Sequence, residues 1–292
     1  MKEPRPAFVI ETERIYKSFE KDISELRSTE PSKNTDIKLD QIIVSSYVKT
    51  YDFILFLCNI NDHQNSFFLL PFLRGICEDL IVLTYIIQQP KERQNYIIVK
   101  KRYQELNKST TAQNNFFHNY NSGQIVPPIY NEGVSIEEII QLHRDAGHKL
   151  EEVNLPNVYQ MAEKVNLKYL YDFIYHSTSK AVHFDIFTLL SMGWGEIDVK
   201  NETIKATFSH KNDYKHYFKF ALFYSSYLFI KQSQNFKETL NLPNLIIESI
   251  EELEIQYKKN DWPFLVTFGH LNIKEPSELI KNMFRNMNIK ND

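Results

Sequence analysis

The sequence predicts an all-α protein, a multi-helix bundle of about eight helices with one small β-hairpin inserted near residues 197–208. Seven glycines in 292 residues are few, and sheets joined by tight turns need more residues with positive φ. Apolar residues recur at helical spacing through most of the chain. Hydrophobic residues make up 42% of the sequence, which is enough to build a substantial core.

The elements follow in order from the positions of apolar stretches and of turn residues. Helices are predicted at 7–28, 37–60, 66–88, 91–108 and 135–153, then after Pro156, and at 167–190 and 213–236. Pro71 and Pro90 stand near predicted helix starts, where proline is tolerated. Residues 119–134 form the longest irregular stretch, and Ser135 and Glu138 form a capping box after it.

The hairpin prediction rests on β-branched residues on both sides of a Lys200-Asn201 turn. Two shorter helices, 243–260 and 276–286, close the chain. We therefore expect a helical core domain over residues 1–240 and a helical appendage over 241–292 that packs on it.

The net charge and the pattern of apolar runs argue against a nucleic-acid-binding, a secreted and a membrane-spanning protein. A net charge of -3 creates no strong field to recruit nucleic acid or an anionic membrane. The N-terminus lacks the apolar segment of a secretion signal, and charged residues interrupt every apolar run before the roughly 18 residues that a membrane span needs. A cytoplasmic protein without membrane attachment is predicted.

Cys58 and Cys77 lie in apolar helical stretches, so both are expected to be buried free thiols.

Residues 170–185, "LYDFIYHSTSKAVHFD", place a polar stripe on one predicted helix. At helical spacing the stripe falls within an arc of about 100°. Its members are Asp172, Tyr175, His176, Ser179 and His183. Apolar residues fill much of the remaining circumference, which predicts a buried helix. The polar groups of such a helix need partners inside the protein.

A partner is expected from the helix "FLLPFLRGICEDLIVLTYI", where Arg74 and Glu78 are one turn apart among apolar residues. Glu78 alone cannot satisfy the five donors of a buried arginine. We therefore expect this helix to cross the 167–190 helix, with Arg74 and Glu78 sharing one network with Tyr175, Ser179 and His183. The network is either a structural element that fixes helix packing or a reactive site, since it offers a histidine, a carboxylate, a hydroxyl and a guanidinium.

Metal and cofactor sites are not predicted. A metal site of His176, His183, Asp185 and Glu78 would need two histidines that are about 10.5 Å apart along a helix. The chain has no nucleotide-binding, P-loop or hydrolase motif and no zinc-binding cysteine pattern. His143, Arg144 and His148 are expected on a solvated helix face, and His118 stands at the start of the long loop.

The two segments discussed above also resemble a bacterial domain-of-unknown-function family, number 5677 in that series. The helix with Arg74 and Glu78 is similar to its R-x-x-x-E helix, and "YHSTSKAVHFD" to its Y-x-x-x-S-x-x-x-H segment. The resemblance covers roughly residues 35–220. It implies a helical, cytoplasmic bacterial protein with Arg74, Glu78, Tyr175, Ser179 and His183 as characteristic positions, and it implies no particular activity.

A second, looser resemblance is to the HEPN superfamily of helical ribonucleases and toxins, in which four to six residues lie between an arginine and the following histidine. Arg144 and His148 are separated by only three residues here, and no arginine stands at that spacing before His183. An arginine that meets His183 must therefore come from another helix, with Arg74 as the candidate.

Two functions follow as expectations. The first is a binding module for a small ligand or a protein partner, because 17 Tyr and 21 Phe suit a ligand pocket or a homodimer interface. The alternative is a HEPN-like, metal-independent ribonuclease or toxin in phage defence that acts on RNA. In that alternative His183 is the general acid or base, oriented by Glu78 or Tyr175, while Arg74 and Ser179 bind the phosphate.

Overall fold

The computed structural model describes most of the chain. The described residues are 6–28, 39–126, 136–145, 147, 155–183, 185–191, 196–198, 203–205, 209–259, 261–267, 274, 276 and 277. The first helices are α1 (Ala7–Ser18), α2 (Glu20–Arg27), α3 (Leu39–Asn59), α4 (Leu70–Ile87), α5 (Lys91–Tyr120) and α6 (Ile136–Asp145). The later ones are α7 (Val158–Lys164), α8 (Lys168–Val182), α9 (Ile186–Ser191), α10 (Tyr214–Leu240) and α11 (Asn244–Lys259). A 3-10 helix, His63–Leu69, leads into α4. The prediction of an all-α protein is confirmed.

Helix α10 forms the centre of the molecule, because its buried residues lie on every side of the helix. It packs against α3, α4, α11 and the 3-10 helix. Phe229 of α10 has ring contacts with Tyr16, Phe19, Tyr47 and Tyr51, at centroid distances of 4.4–6.3 Å. All five side chains are buried. This aromatic cluster joins α1 and α3 to the central helix.

Among the described residues there are eleven α-helices where about eight were predicted, in part because two predicted helices are divided. The predicted helix 7–28 breaks at Phe19, whose backbone has φ -117° and ψ 21°. The Phe19 side chain is fully buried beside Tyr16 and Tyr51. The break separates α1 from α2, and the single-helix prediction was wrong at this residue.

The predicted helix 167–190 is also divided, and the break falls at His183. The backbone of His183 is extended, with φ -108° and ψ 163°. The Asp185 side chain then accepts a hydrogen bond of 2.7 Å from the Thr188 amide, as an aspartate does when it caps the start of a helix. His183 therefore ends α8 and is not part of a continuous helix. The prediction missed this capping signal.

Helix α5 is longer than predicted and runs from Lys91 to Tyr120, past the predicted end at residue 108. Its buried residues all lie in its first ten positions. The short helix predicted after Pro156 is α7, and its capping box joins Asn157 and Gln160. Ser135 of the predicted capping box before α6 lies outside the described residues.

Two short strands pair antiparallel in the region of the predicted hairpin. Strand β1 (Glu196–Asp198) and strand β2 (Thr203–Lys205) place Ile197 opposite Ile204. The strands are shorter than the predicted hairpin, and its turn at residues 200 and 201 lies outside the described residues. Helix α11 packs on α1 and α10. Of the predicted helix 276–286, only residues 276 and 277 are described.

Among the described helices, α3 is the one that by length and composition could cross a membrane, with a mean hydropathy of 1.2 over its most apolar window. Half of that window is buried inside the protein. Core helices of soluble proteins have the same composition, so the feature is weak evidence for a membrane span.

Candidate functional site

Helices α4 and α8 pack against each other, as predicted from the need of Arg74 for partners. The guanidinium of Arg74 lies over the ring of Tyr175, 4.6 Å from its centroid. The Nε of Arg74 donates a hydrogen bond of 2.8 Å to Oε1 of Glu78, one turn along α4. That hydrogen bond raises the pKa of Arg74. Tyr175 therefore holds Arg74 from one side through a cation–π contact, and Arg74 holds Glu78.

The predicted wider network is not formed. Among the described residues, no side-chain hydrogen bond joins Arg74 or Glu78 to Tyr175, Ser179 or His183. Tyr175 and His183 are eight residues apart, about 12 Å along a helix. His183 is exposed, and the buried Oγ of Ser179 has no hydrogen-bond partner.

The predicted burial was also wrong in degree. The Arg74 and Glu78 side chains retain 31% and 33% of their exposure, so the ion pair is half-buried. Helix α8 buries only Ile174, Ser177 and Thr178. The exposed side of α8 includes His176 of the polar stripe. The sequence pattern overstated burial because part of the stripe borders solvent.

Tyrosines and a second ion pair extend the polar stripe toward the start of α8. The ring of Tyr171 lies 5.4 Å from that of Tyr175. Lys168 forms an ion pair of 2.5 Å with Asp172 and lies over the ring of Tyr159 in α7. Burial raises the pKa of Tyr171, and the nearby Glu78 carboxylate adds to that effect. In this part of α8, ion-paired side chains therefore lie against tyrosine rings.

Glu78 also lines a large cleft between α3, α4 and α5, which we call the α3–α4–α5 cleft. Its volume is about 780 Å³. One part of its lining is apolar and consists of Ile42, Val82, Leu83, Ile86 and Ile98. Another part is charged and consists of Lys49, Glu78, Asp79, Lys101, Arg102 and Glu105. Volumes of 300–1,000 Å³ with a mostly apolar lining are typical of small-molecule sites.

The apolar and charged residues occupy different ends of the cleft, because α3 and α4 run antiparallel. Lys49 of α3 pairs with Asp79 of α4. Phe53, one turn farther along α3, stacks with Phe72, two turns earlier along α4, at 4.4 Å. Moving the other way, toward the start of α3 and the end of α4, leads to the apolar lining residues of both helices. The cleft therefore has an apolar end and a charged end.

Glu78 connects the motif of α4 to this cleft. Glu78 lines the cleft, and its carboxylate accepts a hydrogen bond from Arg74, which lies against Tyr175 of α8. Three residues predicted from the sequence thus form one chain of contacts that ends at the cleft. Ser179 and His183 do not line it.

A second cavity lies between α4, α8 and α10, near Ser177, His216 and Phe220, with a volume of about 40 Å³. It has room for little more than water molecules. Among the described residues, no group of three or more His, Cys, Asp or Glu side chains could hold a metal ion. The α3–α4–α5 cleft is thus the larger of the two cavities by a wide margin.

His143 corrects a further prediction. It was expected on a solvated face, but its side chain is fully buried. Its ring lies 4.9 Å from that of Tyr96, and its Nδ1 lies 3.4 Å from Nη1 of Arg93. These contacts join α6 to α5. Arg144 is exposed, and His148 lies outside the described residues.

Several cleft residues were missed by the sequence analysis. Lys101 and Arg102 belong to a basic run that is usually a solvated helix face, and Asp79 was passed over beside Glu78. One signal was available: Glu78, Val82 and Ile86 repeat at intervals of four on α4, which places them on one face. The contributions of α3 and α5 depend on packing that the sequence alone does not give.

The comparisons with known proteins agree with the first resemblance. No curated protein and no solved structure matches the chain. The model of a family of unknown function, DUF5677, matches residues 44–198, which is more than half of the chain. That match spans α4 with Arg74 and Glu78, all of α8, and most of the cleft lining. The chain belongs to the DUF5677 family.

Proposed function

We propose that the protein is a binding module that holds a small ligand with an apolar body in the α3–α4–α5 cleft. The observation that carries the proposal is the cleft itself, about 780 Å³ with one apolar and one charged end. A cleft of this size is large enough to hold a drug-sized ligand. The Arg74–Glu78 pair supports the proposal, because it fixes a charged group in the cleft wall.

The proposal also assigns a role to the contact between α4 and α8. Arg74 would adopt many conformations if it were free in solvent, and ordering a long side chain costs up to about 2 kcal/mol of entropy. The Tyr175 ring restricts Arg74, and Arg74 restricts Glu78. The ligand therefore meets a cleft wall whose charged pair is already ordered and balanced, which lowers the cost of binding.

The proposal places the protein in the cytoplasm. The supporting observation concerns α3, which among the described helices is the one with the length and composition of a membrane span. Half of its apolar window is buried in the protein, and Ile42 and Lys49 of α3 line the cleft. A helix that supplies a core face and a cleft wall has little apolar surface left for lipid.

The test uses the neutral, apolar fluorophore Nile red and the substitution Ser45→Trp. Ser45 is exposed at the cleft, and its hydroxyl bonds only the Gln41 carbonyl one turn back. The indole should project into the cleft and obstruct the ligand without disturbing the core. We expect Nile red to bind the wild-type protein with a saturable rise in fluorescence and Ser45→Trp to abolish it.

Ser24→Trp is the matched control, because Ser24 is also exposed and bonds the Glu20 carbonyl in the same way. It lies on α2, outside the cleft, and should leave Nile red binding unchanged. Equal binding by wild type, Ser45→Trp and Ser24→Trp would refute the proposal. Thermal melts of the three proteins show that each is folded.

The ribonuclease alternative stays a prediction with less support. It needs a guanidinium at His183, and Arg74 is instead engaged with Glu78 and Tyr175. Its test is cleavage of total RNA by wild type and by His183→Gln, which replaces the imidazole by an amide that cannot act as a general acid or base. Cleavage by wild type that is lost in the folded variant would favour the enzyme over the binding module.

A further inference from the structure

The charged end of the cleft contains three acids and three cations, but they are not equally engaged. Each acid has a cationic partner: Glu78 pairs with Arg74, Asp79 with Lys49, and Glu105 with Lys108. The negative charge that lines the cleft is therefore already balanced by neighbouring side chains. A cationic ligand would have to compete with these pairs.

Lys101 and Arg102 differ from the other charged residues of the cleft. Neither forms an ion pair or a hydrogen bond with any other described side chain, although both line the cleft. Glu105 lies one turn from Lys101 but pairs with Lys108 on its other side, at 3.6 Å. The α5 wall thus presents two neighbouring positive charges that no described acidic side chain neutralises.

The third basic residue of this run is used differently. Lys100 is buried, and its Nζ donates a hydrogen bond of 3.2 Å to the hydroxyl of Tyr96. Lys100 therefore belongs to the packing of α5, whereas Lys101 and Arg102 line the cleft. The three basic residues thus have two roles: Lys100 packs in the protein, and Lys101 and Arg102 can contact a ligand.

We propose that the ligand is an anionic amphiphile, an apolar chain or ring system with one carboxylate or phosphate group. This inference rests on the proposed function and adds the chemistry of the ligand. The apolar body lies against Ile42, Val82 and Ile98, and the anionic group accepts hydrogen bonds from Lys101 and Arg102. Guanidinium and ammonium groups bind carboxylates and phosphates through charge-assisted hydrogen bonds.

The experiment compares four probes with the same octyl chain and different head groups. Octyl phosphate and octanoate are anionic, octanol is neutral and octylammonium is cationic. Each competes with Nile red for the cleft. We expect the two anions to displace Nile red at concentrations about fivefold to tenfold lower than octanol, and octylammonium to need more than octanol. Added salt should reduce the advantage of the anions.

The variant Lys101→Gln/Arg102→Gln should bind the anions no better than octanol and should keep its affinity for octanol. The control Lys91→Gln/Lys219→Gln makes the same change in net charge at exposed positions outside the cleft. It should retain the preference for anions. Loss of the preference in both variants would mean that only net charge matters, and it would overturn the inference.

Two further outcomes separate this inference from the proposed function. Equal displacement by all four probes, still blocked by Ser45→Trp, would overturn the anionic ligand and leave the cleft as a binding site. Binding of Nile red that Ser45→Trp does not change would overturn the proposed function itself. The protein could instead sediment with phosphatidylglycerol vesicles while free octyl phosphate fails to displace Nile red. That result would overturn a free ligand in favour of a membrane surface.

Discussion

Two groups of side chains join helices in this protein, the aromatic cluster around Phe229 and the contact chain of Arg74, Glu78 and Tyr175. They differ in their exposure to solvent. Phe229 and its four aromatic neighbours are buried almost completely, whereas Arg74 and Glu78 keep about a third of their exposure. The cluster joins three helices and excludes water. The contact chain ends at an open cleft. The difference indicates that the first region maintains the fold and that the second is available for binding.

The largest effect should come from the aromatic cluster. Phe229→Ala removes a fully buried ring that contacts four others, and such truncations lower the free energy of unfolding by about 3–5 kcal/mol. Phe56→Ala, on an exposed ring of α3, should change it by less than about 1 kcal/mol. Chemical denaturation measures both. Similar losses in the two variants would mean that the cluster has no special role in stability.

A smaller effect is expected at the ion pair. Arg74→Ala removes one hydrogen bond and one cation–π contact from a half-buried site, so the free energy of unfolding should fall by about 1–2 kcal/mol. The same variant should weaken Nile red binding, since Glu78 is no longer held. A loss above about 3 kcal/mol in denaturation would mean that the pair is a core element.

The smallest effect is expected at two serines of α8. The Oγ of Ser179 is buried without a partner, so Ser179→Ala should leave the free energy of unfolding unchanged or raise it by up to about 1 kcal/mol. The buried hydroxyl of Ser177 bonds the Ile174 carbonyl at 2.9 Å. Ser177→Ala should therefore lower stability by about 1 kcal/mol. A larger loss for Ser179→Ala than for Ser177→Ala would show that Ser179 has a partner in solution.

The same comparison shows how far the sequence could predict this molecule. The packing of α4 on α8 followed from one requirement, that the donors of Arg74 need hydrogen-bond partners among apolar neighbours. The contact that α8 supplies is instead the ring of Tyr175. The exposure of the pair did not follow, because the sequence does not tell which helix faces are left uncovered. The break at His183 was predictable in principle, since Asp185 is a good capping residue. The periodic apolar pattern on both sides concealed it.

The cleft could not have been predicted by the same reasoning. Its residues come from three helices, and the apolar and charged ends align only because α3 and α4 are antiparallel with Lys49 beside Asp79. From the sequence alone, Lys101 and Arg102 belong to a basic run that is typical of a solvated helix face. Their place in the cleft depends on which helices pack beside them. Non-local packing therefore decides the candidate site, whereas local pattern decides most of the helices.

The most direct test of the account is whether a ligand covers the α3–α4–α5 cleft in solution. Ser45→Cys places a thiol at the cleft, and Ser24→Cys places one on α2. The two native cysteines, Cys58 and Cys77, are buried and should react slowly with a maleimide. The octyl probe that binds most tightly should slow the labelling of Ser45→Cys and leave that of Ser24→Cys unchanged. Labelling of Ser45→Cys at the same rate with and without saturating probe would contradict the account.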